Sequence, residues 1–122
     1  MIKLTFCLRR LPSLSRAEFQ KYWFETHAPL VASVKDALRI RRYVQLHSLP
    51  AETSASLRTV RAGPEGYDGV AQLWWDSFEE MSLRNDAKAA EAGQRLLDDE
   101  RKFIDLPNSP LWWGEEKVIF EA

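Results

Sequence analysis

The chain has 122 residues, enough for one domain and too few for two independent cores. Hydrophobic residues make up 45% and charged residues 29%, a balance that excludes a disordered or collagen-like chain. With 17 basic groups against 18 acidic ones, no positive surplus exists to neutralise phosphates, so no nucleic-acid partner is expected.

Residues 2–9 alternate, with Ile2, Leu4, Phe6 and Leu8 on one side and Lys3, Thr5, Cys7 and Arg9 on the other, and predict a half-buried strand. This apolar stretch is too short for a membrane span and lacks the form of a signal peptide, so no membrane partner is expected. Cys7 is the single cysteine, which excludes an internal disulfide and fits a reducing, cytoplasmic setting. Ser15 and Glu18 form a capping box. Phe19, Trp23 and His27, spaced by four, share one face of the helix it opens, and Pro29 predicts a kink or an end to that helix.

Residues 39–48 predict a second strand, with Ile40, Val44 and Leu46 on one side and Arg41, Tyr43, Gln45 and His47 on the other. Residues 50–67 read as a long polar loop and a candidate lid. A third strand runs from Asp68 to Trp75. Ser77 and Glu80 suggest another capping box, over a helix with Phe78 and Met81 inward. A further helix covers 88–103, with Ala92, Leu96 and Phe103 buried. Pro107 and Pro110 then separate it from a last strand, Leu111 to Phe120.

That order, β-α-β-β-α-β, is the ferredoxin-like arrangement of an α+β fold, taken here as a single domain over residues 1–122. Helices on one face of an antiparallel sheet leave its other face bare. Two such sheets facing each other would close a homodimeric α+β barrel around an internal cavity. Five Trp, six Phe and three Tyr are more rings than one small core buries, and fit a ligand cleft or an interface.

His27 and His47, the two histidines, are the side chains best matched to proton transfer near neutral pH. For His27 the bland alternative is a core histidine donating to a backbone carbonyl, and for His47 a surface position at a strand end. Arg41, Tyr43, Gln45 and His47 form a polar row able to polarise a carbonyl or hold an enolate. With the apolar row taken to face the helices, this polar row is expected to point into the dimer cavity. Trp74 and Trp75, like Trp112 and Trp113, are strand neighbours that point to opposite faces, so one of each pair is a candidate ligand platform or interface residue. Asp68 is either an orienting or basic carboxylate or simply part of the turn before Gly69. Asp98, Asp99 and Glu100 read as a solvated acidic run. No ligand spacing supports a metal site, and no glycine loop is built for phosphate.

The segment Phe19-Gln20-Lys21-Tyr22-Trp23-Phe24-Glu25-Thr26-His27-Ala28-Pro29-Leu30 resembles the F-x-x-x-W-x-x-x-H-x-P-L helix of the EthD family. The likeness continues in Arg42-Tyr43-Val44-Gln45-Leu46-His47, in Tyr67 to Trp74, and in Asp99 to Asp105 with Ser109-Pro110. It implies the dimeric α+β barrel superfamily, whose members include cofactor-independent monooxygenases, cyclases, isomerases and haem-binding proteins. The expectation is a small enzyme without a cofactor, acting by acid–base chemistry on a hydroxylated aromatic, lactone or polyketide-like molecule. The reaction would be a dehydration, cyclisation, isomerisation or decarboxylation. His27 would be the base, Tyr43 and His47 donors, and Trp23, Arg41, Gln45, Asp68 and Trp74 substrate-binding residues. The alternatives are a non-catalytic ligand-binding or auxiliary protein of a catabolic pathway, and a haem-binding protein or cofactor-independent monooxygenase.

Overall fold

The alternation of Ile2, Leu4, Phe6 and Leu8 sets β1 (Ile2–Leu8) at the centre of the sheet, where it pairs on both sides. The computed structural model describes residues 1–83 and 85–122. After β1 come α1 (Arg16–Tyr22), a π-helical turn (Trp23–His27), α2 (Ala28–Ser33) and β2 (Arg42–His47). α3 (Ala55–Arg61), β3 (Gly69–Trp75), α4 (Phe78–Ser82), α5 (Ala87–Glu100) and β4 (Leu111–Glu115) complete the chain. The four strands are antiparallel in the order β2-β3-β1-β4, the ferredoxin-like sheet expected from the sequence.

Ser15 closes its capping box as predicted: its hydroxyl accepts from the Glu18 amide and its own amide donates to the Glu18 carboxylate. Pro29 does not end the helix. It has no N–H to give to the preceding turn, and the chain widens just before it, so that the Ala28 amide reaches the Trp23 carbonyl five residues back. Helix then continues through Ser33.

Register decides which side chains face the helices. Phe6 stands opposite Ala71, and Ala71 opposite Gln45; Leu4 stands opposite Leu73, and Leu73 opposite Tyr43. Opposed residues share a face, so Tyr43, Gln45 and His47 lie on the helix-covered side with Phe6 and Leu8. The expectation that this row points to the open face is therefore corrected. Its cause is Ile40, counted as part of the strand. Arg39 takes a left-handed backbone (φ 59°), which breaks the alternation before Arg42. Ile40 instead packs with Val34, Leu38, Ala89 and Ala92, while Val44 and Leu46 are left on the open face.

Phe6, Leu8, Phe19, Trp23, Ala71, Phe103 and Ile104 form the main core between sheet and helices. Three other expectations are also corrected. The 50–67 segment holds a 3₁₀ turn (Ala51–Ser54) and α3, with none of their residues buried. β4 ends at Glu115 because only Leu111–Glu115 have a partner on β1. Phe78 is half exposed, its ring edge-on to Trp113 at 5.3 Å.

Gly69 passes so close to Trp23 that a Cβ would sit 2.7 Å from the ring's Cη2 and 2.8 Å from the Leu46 carbonyl. Trp23 is wholly buried and has no room to retreat. Gly69→Ala is therefore expected to lower stability by about 1–3 kcal/mol, read from the urea unfolding midpoint.

Candidate active site

Between the sheet and the helical layer lies a cavity of about 170 Å³. Its walls are largely apolar, from Leu4, Phe6, Leu73 and Trp75 of the sheet to Val31, Leu38 and Leu96 of the helical side. Three polar side chains also line it: His27, Tyr43 and Glu100. An apolar cavity of about 150 Å³ takes a benzene, so this one holds roughly a single ring.

His27 ends the π turn and is buried. Its Nδ1 lies 2.8 Å from Oδ2 of Asp99 on α5, and a carboxylate accepts, so Nδ1 carries the proton. Nε2 is then the lone-pair nitrogen and has no hydrogen-bond partner among the described residues. Burial lowers the His27 pKa against the opposing pull of Asp99, so the ring is neutral near pH 7. The sequence pointed to a backbone carbonyl as its alternative partner; the partner is a carboxylate. Asp99 also accepts from the Tyr22 hydroxyl at 2.6 Å. Burial pushes its carboxyl up, but Tyr22, His27 and the Lys102 charge outweigh that and hold its pKa below the ordinary value. A buried histidine with one nitrogen tied to a carboxylate and the other open is the arrangement of a general base.

Glu100, next in sequence, turns into the cavity instead. Burial in apolar surroundings, then the Asp99 charge, push its carboxyl up to about 7, against a smaller opposing effect of Arg101. Its carboxyl makes no hydrogen bond or ion pair with the described residues. Asp99 and Glu100 were taken from the sequence as part of a solvated acidic run, and that is corrected. A signal was present: Leu96, Asp99, Glu100 and Phe103 follow the i, i+3, i+4, i+7 spacing of a buried helical stripe.

Tyr43 meets the cavity from β2, with Gln45 and His47 behind it on the same strand. The Gln45 amide nitrogen donates to the Tyr43 oxygen at 2.7 Å and to the Trp23 carbonyl at 3.0 Å. His47 lies outside the cavity, stacked on Trp23 at 4.5 Å and bonded through Nε2 to Gln45 Oε1 at 2.7 Å. Trp23 both lines the cavity and anchors the core.

The other sequence candidates lie elsewhere. Trp74 is on the open face, between Arg42 and Lys3, because its neighbour Trp75 takes the inward position. Arg41 is exposed and pairs with Asp76 at 3.6 Å. Asp68 is buried as a clamp, accepting from the Arg10 amide at 2.8 Å and Arg16 Nε at 3.0 Å. Burial pushes its carboxyl up, but Arg10 and Arg16 together hold its pKa below the ordinary value. Among the described residues, no group of three or more His, Cys, Asp or Glu is placed to hold a metal ion, and no helix is long and apolar enough to cross a membrane.

A family profile of the EthD domain matches residues 11–107, a span that includes His27, Tyr43, Asp99 and Glu100. The chain belongs to the EthD family. Among EthD relatives, the conidial pigment biosynthesis dehydratase EthD of Metarhizium robertsii is 28% identical over 127 residues, covering 99% of this chain and 86% of that protein. An EthD family crystal structure from Bacillus halodurans superposes with a TM-score of 0.61 at 19% identity, over 96% of this chain and 100% of the other. A dimeric protein of unknown function and ferredoxin-like fold from Bacteroides fragilis gives 0.57 at 8% identity, over 94% and 95%. These two structures speak to the fold alone. The expected family and the ferredoxin-like α+β fold are both borne out.

Glu100 makes stability depend on pH with a definite sign. Its folded pKa, about 7, lies above the ordinary 4.5, so the folded state holds the proton more tightly. The stabilisation is complete below 4.5 and is lost as pH rises to about 7. Relative to Glu100→Gln, the wild type is expected to lose on the order of 3 kcal/mol between the two ends of that window. Urea unfolding of both proteins across the range checks it.

Proposed function

We propose that this EthD protein is an acid–base dehydratase that removes water from a hydroxylated aromatic, lactone or polyketide-like molecule. The observation that carries this reading is the pair on the cavity wall: a neutral histidine with an open Nε2 and a carboxylic acid with a pKa of about 7. Neighbouring titratable groups whose environments set them to opposite tasks are how a site assigns a base and an acid. His27 Nε2 takes a proton from carbon, Glu100 gives its proton to the hydroxyl on the adjacent carbon, and the C–O bond breaks. Water and a carbon–carbon double bond result. The step is redox-neutral, so two proton-handling groups suffice. The dehydratase name of the Metarhizium robertsii relative agrees with this choice among the eliminations and isomerisations open to such a pair. A cavity of about 170 Å³ has room for a single ring beside these two groups.

The active form has His27 neutral and Glu100 protonated. kcat/KM is therefore expected to climb as pH rises through a His27 pKa below 6.5, and to fall through about 7. Glu100→Gln should lower the rate and remove the alkaline limb while keeping the acid one. His27→Ala should cost about 10²–10⁴-fold in turnover. A ligand bound in the cavity and released unchanged by the wild type, across a panel of hydroxylated rings, would overturn the reading in favour of a binding protein.

We also infer a homodimer formed through the open sheet face. There Leu46 and Trp112 are 58% and 51% exposed, beside Val44, Val70 and Cys7. Sedimentation should give twice the 14.1 kDa chain mass, and Leu46→Arg combined with Trp112→Glu should give the single chain.

A further inference from the structure

Gln45 can be oriented without ambiguity. A backbone carbonyl only accepts, so the amide atom 3.0 Å from the Trp23 oxygen is nitrogen. The same nitrogen then donates to the Tyr43 oxygen at 2.7 Å, and the amide oxygen accepts from His47 Nε2–H at 2.7 Å. The Tyr43 oxygen thus accepts from Gln45, and its own proton has no acceptor among the described residues. Tyr43 lines the cavity that His27 and Glu100 share.

We infer that Gln45, locked by the Trp23 carbonyl, makes Tyr43 a one-way hydrogen-bond donor to a carbonyl oxygen in the cavity, so that the substrate is a β-hydroxy carbonyl compound. This rests on the dehydration proposed above and says which molecules undergo it. A carbon-bound proton is within reach of an imidazole when the resulting electron pair can move onto a carbonyl oxygen, and a donor aimed at that oxygen stabilises the enolate. His27 Nε2 takes the proton on the α-carbon, and the electron pair passes to the oxygen held by Tyr43. It returns to form the double bond as the β C–O bond breaks, and the Glu100 proton joins the departing oxygen as water. Protonated His27 and ionised Glu100 exchange protons with solvent to restore the starting state. Tyr43 touches the reacting oxygen; Gln45 is a positioning residue.

Two single-ring probes separate this inference from the function it rests on. The first is the carbonyl stretch of bound cyclohex-2-enone, read by infrared difference spectroscopy on the wild type, Tyr43→Phe and Gln45→Glu, each checked for folding by thermal melting. The wild type should hold the stretch low, and Tyr43→Phe should move it up toward its value in an apolar solvent. Gln45→Glu should do the same, since a carboxylate draws the phenol proton to itself. Should that variant not fold, Gln45→Leu should broaden the band by freeing the hydroxyl's orientation. A stretch unchanged by Tyr43→Phe, or an enone that the wild type does not bind at millimolar concentration, overturns the donor. A stretch moved by Tyr43→Phe but untouched by the Gln45 variants overturns the positioning role.

The second probe is 3-hydroxycyclohexanone, followed to cyclohex-2-enone and water. Tyr43→Phe should lower kcat by about 10²–10³-fold with little change in KM. Dehydration at the wild-type rate in Tyr43→Phe overturns the inference and leaves the dehydratase standing. A carbonyl shift with no dehydration by the wild type removes the dehydratase and leaves the donor site.

Discussion

One buried carboxylate ties the helical layer together. Asp99, on α5, accepts from His27 in the π turn and from Tyr22 at the end of α1, so two segments far apart in sequence meet at one charge. Removing one partner would leave a buried acceptor unsatisfied, which costs more than the net value of the bond lost. The bond also fixes the His27 tautomer. The fold and the proposed chemistry thus rest on the same contact, at the wall of the apolar cavity.

What the sequence made legible is what local physics determines. The capping box at Ser15 is set by four residues, the alternation of β1 by the chain's own pleat, and the β-α-β-β-α-β order by the spacing of such signals. His27 was legible as a candidate because Phe19, Trp23 and His27 share a helical face, and Tyr43 because of its place on a strand.

What the sequence left hidden depends on partners distant along the chain. The facing of β2 turned on whether Ile40 belongs to the strand, and a left-handed Arg39 settles that it does not. Trp74 and Trp75 are equivalent in sequence; pairing with β1 and β2 sends one outward and the other into the core. Asp68 resembled a site carboxylate, yet it meets two arginines from the start of the chain. Asp99 and Glu100 were hidden by their own charge, since an acidic run suggests solvent even where its spacing matches a buried stripe.

In the proposed dehydration, the adjacency of Asp99 and Glu100 would link the timing of two proton movements. The negative charge of Asp99 is one of the causes that keep a proton on Glu100. Once His27 has taken a proton, a positive ring lies against Asp99 and offsets that field. Glu100 would then become a stronger acid at the moment the departing hydroxyl of that proposed reaction needs its proton. The charging of the proposed base would itself prime the proposed acid, with no moving part beyond the proton.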